Sequence, residues 1–224
     1  MIDVLKQFLI GFGLIGGAII LAVSPAGAAT NYVLLGDASI VQPGYNSENA
    51  AQLVSDADPS FGAVEVEVPA GLTFADLQTL SADYNVTDDD CNGGSPRFQA
   101  EVITPDGPKN IHVYMGPSPN FSGCTTDMWE SSGDLLEAGK TVDTSQLTGG
   151  TFYDQYTDAL AEFGALPLTR LAVAVDSGWA FADGEQTVLV DNIQMNDQIV
   201  TFEQDAEPPV LPASKDECKK GGWR

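Results

Sequence analysis

The sequence predicts an all-β fold, a single antiparallel β-sandwich with one short helix. Residues 97–103 and 110–115 alternate apolar and polar side chains on either side of a turn, which is typical of a β-hairpin with one buried face. Other short apolar runs are separated by segments rich in Gly, Pro, Asn and Asp, and helical spacing of apolar residues occurs convincingly only in residues 151–164. These observations favour many short strands over a helical or mixed fold.

The hairpin is the best-defined element. Its connection, residues 104–109, contains two prolines and an Asp-Gly step, so we expect it to turn and to interrupt both strands. If Ile103 faces Asn110, then Glu101 faces His112 and Gln99 faces Tyr114. This register gathers four side chains on the face away from the core as a candidate ligand-binding face: Gln99, Glu101, His112 and Tyr114.

The other elements follow in chain order. Thr73 with Asp76, and Thr151 with Asp154, have the spacing of helix N-terminal capping pairs. Gly164 fits the end of the second helical segment. The predicted strands are residues 32–41, 50–55, 61–68, 81–86, 171–176 and 186–195, and the helical segments are residues 73–80 and 151–164.

Residues 1–28 have the pattern of a secretory signal peptide. A short segment with Lys6 precedes an apolar run, and the small-residue ending Ala26-Gly27-Ala28 follows Ser24-Pro25. The alternative is a membrane anchor, since the apolar run approaches spanning length. With cleavage, the exported chain has 196 residues (224 minus 28), is secreted, and has no membrane segment left.

The chain is strongly acidic. It has 9 Lys and Arg against 32 Asp and Glu, for a formal net charge of −23. Such a surface repels nucleic-acid phosphates and anionic lipids, so the sequence argues against a nucleic-acid partner. The acidity indicates either solubility in a salty or acidic medium or the binding of cations.

Two cysteines bracket the hairpin. Cys91 and Cys124 are the obvious disulfide pair in an oxidising compartment. The alternative of a zinc site lacks the further cysteine or histidine ligands that zinc requires.

Two places are candidates for structural calcium. In the loop at residues 88–90, Asp88 and Asp90 could bind the ion together with backbone carbonyls, and the alternative is a solvated acidic loop. In the last long strand, Asp191 shares a face with Leu189 and Ile193, so we expect it to point inward. A buried carboxylate needs a cation or several hydrogen-bond donors, and both alternatives stay open.

Two tryptophans lie in predicted loops. An exposed aromatic ring can stack on a sugar, so Trp129 and Trp179 are candidate ligand-binding residues. Large aromatic side chains more often cover the edge of a core.

The closing strands carry a resemblance. VLVDNIQM followed by VTFE is similar to the last strands of jelly-roll carbohydrate-binding modules, in which the Asp of such a strand often binds a structural calcium. The block LSADYN…DDDCNGGSPRF…VYMGPSP resembles a domain of secreted bacterial proteins of no established activity. The resemblance covers residues 37–203 in strand order and implies a jelly-roll sandwich, and the predicted domain spans residues 29–203.

The last residues differ in character. Residues 204–224 are predicted to be a linker followed by a basic tail. The tail resembles a Cys-Lys-x-Gly-Gly-Trp motif that is normally followed by a second cysteine. The chain ends before that partner, so we expect a truncated motif with Cys218 as a free thiol.

These observations favour a secreted, non-catalytic binding module for a glycan or a cell-surface protein. A structural or adhesive envelope protein is the first alternative. A carboxylate-dependent glycoside hydrolase is the second, with Glu101 as one of its acids. A Ser-His-Asp triad has His112 as its one possible base, because the chain has a single histidine, and no nucleophile motif is present.

Overall fold

The computed structural model describes residues 31–56, 60–182, 184–203 and 210–211, with the backbone alone for residues 179, 210 and 211. The predicted signal peptide and most of the predicted linker and tail lie outside these residues. None of the described helices is long and apolar enough to cross a bilayer.

The described elements are short strands and one helix. In chain order the strands are β1 (Tyr32–Gly36), β2 (Ala38–Val41), β3 (Ala50–Ser55), β4 (Gly62–Val66), β5 (Leu80–Asp88), β6 (Arg97–Thr104), β7 (Gly107–Tyr114), β8 (Glu130–Ser131), β9 (Thr141–Val142), β10 (Asp154–Gln155), β11 (Leu168–Val175), β12 (Gln186–Met195), β13 (Gln198–Val200) and β14 (Val210–Leu211). The α-helix is α1 (Tyr156–Phe163), and short 3-10 turns lie at Phe74–Asp76 and Gly178–Ala180.

The strands form two sheets that enclose the core. The first sheet has the order β14-β1-β4-β11-β6-β7, and the second has β2-β3-β12-β5-β8 with β13 beside β12. Pairing is antiparallel throughout both sheets except between β1 and β14. The chain passes repeatedly from one sheet to the other, so the predicted jelly-roll sandwich is confirmed. Its last strand, β14, comes from the segment predicted to be a linker.

The predicted strand 32–41 is two strands in different sheets. The break is at Gly36, where φ is 63°. A Cβ atom there would lie 2.1 Å from the carbonyl oxygen of Phe61, so only glycine fits this conformation and this close approach.

The hairpin buries the predicted apolar face. Phe98, Ala100, Val102, Ile111 and Val113 are each at most 1% exposed.

The predicted capping pair is present at the first 3-10 turn, where the backbone nitrogen and the hydroxyl of Thr73 donate to Asp76 Oδ2 at 2.8 and 2.7 Å.

The predicted register of the hairpin is wrong by two residues. Gln99 lies opposite His112, and Glu101 lies opposite Asn110. The turn is tighter than predicted because Thr104 pairs with Gly107 and Pro108 stays within the ladder. The backbone nitrogen of Asn110 donates away from β6, to Gln146 Oε1, and Pro108, two residues earlier, has the same orientation. Its missing N–H therefore removes no hydrogen bond between the strands.

Strand β12 changes its buried face at Asn192. Val188 and Val190 lie in the core, and so do Ile193 and Met195. A β-bulge accounts for this, because the register against β5 shifts between Asp191 and Gln194 and Asn192 has φ of 47°. The prediction that Asp191 shares a face with Ile193 is therefore wrong, but the predicted burial of its carboxylate is confirmed.

The helix is shorter than predicted at its beginning. Thr151 Oγ1 does donate to Asp154 Oδ1, at 2.9 Å, but Asp154 pairs with Val142 in a strand. The preceding Tyr153 has φ of 60°, a conformation that excludes a right-handed helix at that position. The helix ends at Gly164 as predicted, and Phe152 is 65% exposed and not part of the core.

The Cys91–Cys124 disulfide is present as predicted, with the Cα atoms 5.5 Å apart. We expect the Cys91→Ser, Cys124→Ser double variant to lose about 3 to 4 kcal/mol of unfolding free energy, because the bond closes a long loop in the unfolded chain. Urea denaturation measures this loss. Cys218→Ser is the matched control and should leave the unfolding free energy unchanged. Equal stability of the double variant and the wild type would contradict the expectation.

Candidate functional site

A later part of the chain lies against the predicted ligand-binding face. Strands β9 and β10 pair to form a short ribbon, residues 141–155. Beside it, the backbones of Asp143 and His112 exchange two hydrogen bonds of 2.9 and 2.8 Å. Gln99, His112 and Tyr114 are each at most 9% exposed. The four predicted residues do share one face of the hairpin, but most of that face is not open to a ligand.

The carboxylate of Asp143 is the centre of a buried cluster. Its Oδ2 accepts a short hydrogen bond from the Tyr114 hydroxyl and lies 3.6 Å from His112 Nδ1, and its Oδ1 accepts from the Ser145 backbone at 2.9 Å. Burial by itself would raise the pKa of Asp143, but the donors on His112, Ser145 and Tyr114 outweigh it and hold that pKa below its usual range. Burial and the Asp143 carboxylate raise the pKa of Tyr114, so its hydroxyl stays a donor.

The surroundings of His112 favour its neutral imidazole. Burial lowers its pKa, with Asp143 acting in the opposite direction and Arg97 in the same one. Its Nε2 is buried and has no hydrogen-bond partner among the described residues. No described serine or cysteine is hydrogen-bonded to it, so this part of the chain shows no Ser-His-Asp triad.

A second polar group lies beside this cluster. Arg97 forms a bidentate ion pair with Asp176, and both side chains are nearly buried. The Gln99 amide, with its oxygen turned toward the guanidinium, accepts from Arg97 Nη2 at 2.9 Å. Glu101 is half-buried and accepts from Thr169 Oγ1 at 2.8 Å. Both side chains thus have hydrogen-bond partners within the protein.

An open cleft lies next to the buried cluster, where the edges of the two sheets meet. It has a volume of about 500 Å³ and is bounded by the end of β7, the loop at residues 116–125, strand β8 and residues 139–141. Tyr84 and Tyr114 contribute aromatic rings, and Glu130 and Lys140 contribute charged groups. Five residues that carry hydroxyl groups also line it: Ser118, Thr125, Ser131, Ser132 and Thr141.

Three aromatic rings pack together beside this cleft, and Tyr114, Phe121 and Tyr153 are called the aromatic cluster below. Tyr114 and Phe121 belong to the lining of the cleft, whereas Tyr153 lies outside the lining and stacks on Phe121. Phe121 and Tyr153 are stacked, with ring centroids 5.6 Å apart and planes 19° apart, and Tyr114 lies 5.2 Å from Phe121. Tyr153 is 49% exposed. Phe121 and Tyr153 have φ of 51° and 60°. This conformation is rare for bulky residues and costs about 1 to 2 kcal/mol each.

The predicted tryptophans are not part of this cleft as far as the structure describes them. Trp129 is half-buried and packs against Tyr45, with ring centroids 5.6 Å apart. Tyr45 belongs to the loop over the second sheet. Trp179 lies in the 3-10 turn Gly178–Ala180, where the structure describes its backbone alone.

The contacts of Asp191 fit the hydrogen-bonded alternative. The carboxylate is fully buried beneath the loop at residues 42–49. It accepts from the backbone of Tyr45 at 2.9 Å, the hydroxyl of Ser47 at 2.6 Å and the backbone of Asn192 at 2.7 Å. Calcium requires six to eight oxygen ligands, whereas these groups present hydrogens. The three donors therefore satisfy the Asp191 carboxylate without a cation, and calcium binding at Asp191 stays a prediction.

The acidic loop is arranged in a similar way. Asp90 accepts backbone hydrogen bonds from Cys91 and Cys124 at 2.7 Å each and from Gly123 at 3.0 Å. Asp88 is exposed and accepts from the Asp89 backbone at 3.1 Å. Asp90 thus ties together the two chain segments that the disulfide joins.

Sequence reasoning missed Asp143, Tyr153 and Glu130. Asp143 and Glu130 lie in segments without periodicity and are indistinguishable there from the other acids. A signal for Tyr153 existed, because two consecutive aromatic residues at 152–153 cannot both face the core from one helix.

We expect stability to fall on mild acidification because of His112. Its pKa is lowered below 6.5 by burial, so between that lowered pKa and about 6.5 the unfolded chain binds a proton that the folded chain does not. The free energy of unfolding therefore decreases as the pH is lowered through this window. The single imidazole should titrate below 6.5 by NMR, and His112→Gln should flatten the pH dependence in urea denaturation. A titration midpoint at or above 6.5 would contradict this assignment.

Removing the Asp191 carboxylate should destabilise the protein. Asp191→Ala leaves the backbone N–H groups of Tyr45 and Asn192 unsatisfied and removes one of the two acceptors of the Ser47 hydroxyl. We therefore expect a loss of about 2 to 4 kcal/mol in unfolding free energy, and a smaller loss for Asp191→Asn. The wild type should melt at the same temperature in EDTA and in calcium. A calcium-dependent rise in melting temperature that Asp191→Ala abolishes would establish the calcium site instead.

No protein-family model and no curated protein matches the sequence. Among solved structures, a family 11 carbohydrate-binding module of the cellulosomal cellulase Lic26A-Cel5E of Clostridium thermocellum is 12% identical, with a TM-score of 0.41, over 81% of this chain and 85% of that one. An exo-β-agarase is 16% identical, with a TM-score of 0.34, over 76% of this chain and 24% of that one.

Proposed function

We propose that the protein is an exported carbohydrate-binding module and that the cleft beside the aromatic cluster is its glycan site. The observation that carries the proposal is the stacked pair Phe121 and Tyr153. Both residues hold a backbone conformation that bulky side chains avoid, and Tyr153 is about half exposed. Strain of this kind is typical of ligand sites, where the surrounding structure compensates for it.

The chemistry of the cleft matches a sugar. The apolar C–H face of a sugar ring packs against an aromatic ring such as that of Phe121, which lines the cleft. The hydroxyl groups of the sugar find partners in the serine and threonine hydroxyls and in the charged ends of Glu130 and Lys140. An apolar wall with a few placed polar groups is the usual composition of a binding site.

Export is supported by two features of the chain. Residues 1–28 have the pattern of a signal peptide, and the Cys91–Cys124 disulfide is the kind of bond that persists outside the cytosol. The site needs no catalytic group for binding, and the proposal includes none.

We expect the purified mature protein to bind at least one polysaccharide in affinity gel electrophoresis against a broad panel. Phe121→Ala and Tyr153→Ala should each lower the affinity about tenfold or more, because each removes an aromatic surface worth about 1.5 to 3 kcal/mol. Tyr114→Ala is a poorer test, since Tyr114 also donates to the buried Asp143.

The matched control is Ile199→Ala. Ile199 is 54% exposed and lies on β13 in the second sheet, so its loss should leave binding unchanged. Wild-type affinity in both aromatic variants would place the glycan elsewhere. If no polysaccharide binds, the proposal fails in favour of a structural or adhesive role or a protein partner at the cell surface. Turnover of a chromogenic glycoside would instead indicate a hydrolase.

A further inference from the structure

Among the described residues, only Glu130 and Lys140 bring charge to the lining of the cleft. Glu130 is half-buried, and Lys140 is exposed. Strand β8 places Glu130 opposite Tyr84 in the pairing with β5. A carboxylate on a paired strand has a fixed position, whereas an exposed lysine side chain does not.

Two hydroxyl groups orient the Glu130 carboxylate. Tyr84 donates to Oε2 at 3.3 Å, and Thr125 Oγ1 donates to Oε1 at 2.9 Å. Each carboxylate oxygen has two lone-pair sites. One site on each oxygen therefore remains available, and the two together can accept from two neighbouring hydroxyl groups of a sugar.

The hydroxyl group of Tyr84 remains a hydrogen-bond donor at neutral pH. Tyr84 is 4% exposed, and burial, together with the Glu130 carboxylate, raises its pKa to about 12. The Tyr84 hydroxyl therefore stays protonated and donates its hydrogen bond to Glu130, whose carboxylate acts as an acceptor in this contact.

The charge of the surroundings disfavours an anionic ligand. The chain has a formal net charge of −23, and both described arginines are paired, Arg97 with Asp176 and Arg170 with Glu65. Lys140 is the one cation at the cleft, and an exposed ammonium contributes little to an ion pair. A second carboxylate placed next to Glu130 would meet repulsion of like charges.

We propose that Glu130 determines the specificity of the cleft: it accepts hydrogen bonds from two hydroxyl groups of an uncharged glycan and rejects glycans that carry carboxylates. This inference rests on the proposed function and names the ligand class for the same site. Phe121 and Tyr153 contribute affinity for the sugar ring, and Glu130 contributes the selection among sugars.

The test compares neutral and acidic polysaccharides on the mature protein. Hydroxyethyl cellulose, mixed-linkage β-glucan and galactomannan serve as neutral probes, and alginate and polygalacturonate as polyuronates, in about 0.15 M NaCl to screen long-range repulsion. The wild type should bind a neutral probe and neither polyuronate. Glu130→Gln should lower the neutral affinity about 10- to 100-fold, the range expected for loss of hydrogen bonds to a charged group.

The control Glu137→Gln makes the same change of charge at an exposed position outside the cleft lining and should bind like the wild type. Melting curves show whether each variant is folded. If Glu130→Gln is unfolded, Glu130→Asp replaces it in the test, because it withdraws the carboxylate by one methylene and should also lower the affinity for the neutral probe. Polyuronate binding by the wild type, or undiminished neutral binding by the folded Glu130 variants, overturns the inference. If the Glu130 variants bind normally while Phe121→Ala does not, the proposed glycan site stands and the role of Glu130 falls. If the wild type binds no polysaccharide, both the glycan site and the role of Glu130 are overturned.

Discussion

The contact between Asp143 and strand β7 sets the positions of the groups around the cleft. Two backbone hydrogen bonds join Asp143 to His112, and the Asp143 carboxylate accepts from the Tyr114 hydroxyl. The ribbon at residues 141–155 is thereby held beside the first sheet, and Tyr153 reaches Phe121 only because the ribbon lies there. A carboxylate is suited to this role, since hydrogen bonds to a charged acceptor are stronger than those between neutral groups.

The opposite side of the cleft is fixed by the disulfide and by Asp90. Asp90 accepts from the backbone of both segments that the Cys91–Cys124 bond joins, so the loop at residues 116–125 that carries Phe121 is held twice. The position of the Tyr114 ring also requires a glycine at position 94. A Cβ atom there, where φ is 81°, would lie 2.8 Å from Tyr114 Cε1. The aromatic cluster therefore sits between two fixed supports, which is what a preformed binding site requires.

Much of the fold could be predicted from the sequence, and much of the candidate site could not. The alternation at residues 97–103 and 110–115 identified the buried face of the hairpin correctly, and the two-residue error in register left that face unchanged because side chains alternate with a period of two. In β12 the bulge at Asn192 changed the face, so the same rule failed for Asp191. Gln99, His112 and Tyr114 were correctly grouped, but a strand pattern contains no information about a ribbon that covers the strand.

The sequence by itself determined the class of fold, the disulfide pair and the acidic character, because alternation, turn residues and composition act locally or over the whole chain. Only the tertiary structure decided which polar residues are buried and which rings meet. Asp143 and Tyr114 are 29 positions apart, and Tyr45 and Asp191 are 146 apart. Contacts of that range depend on the register of the strands and the course of the loops, and neither leaves a periodic signal in the residues themselves.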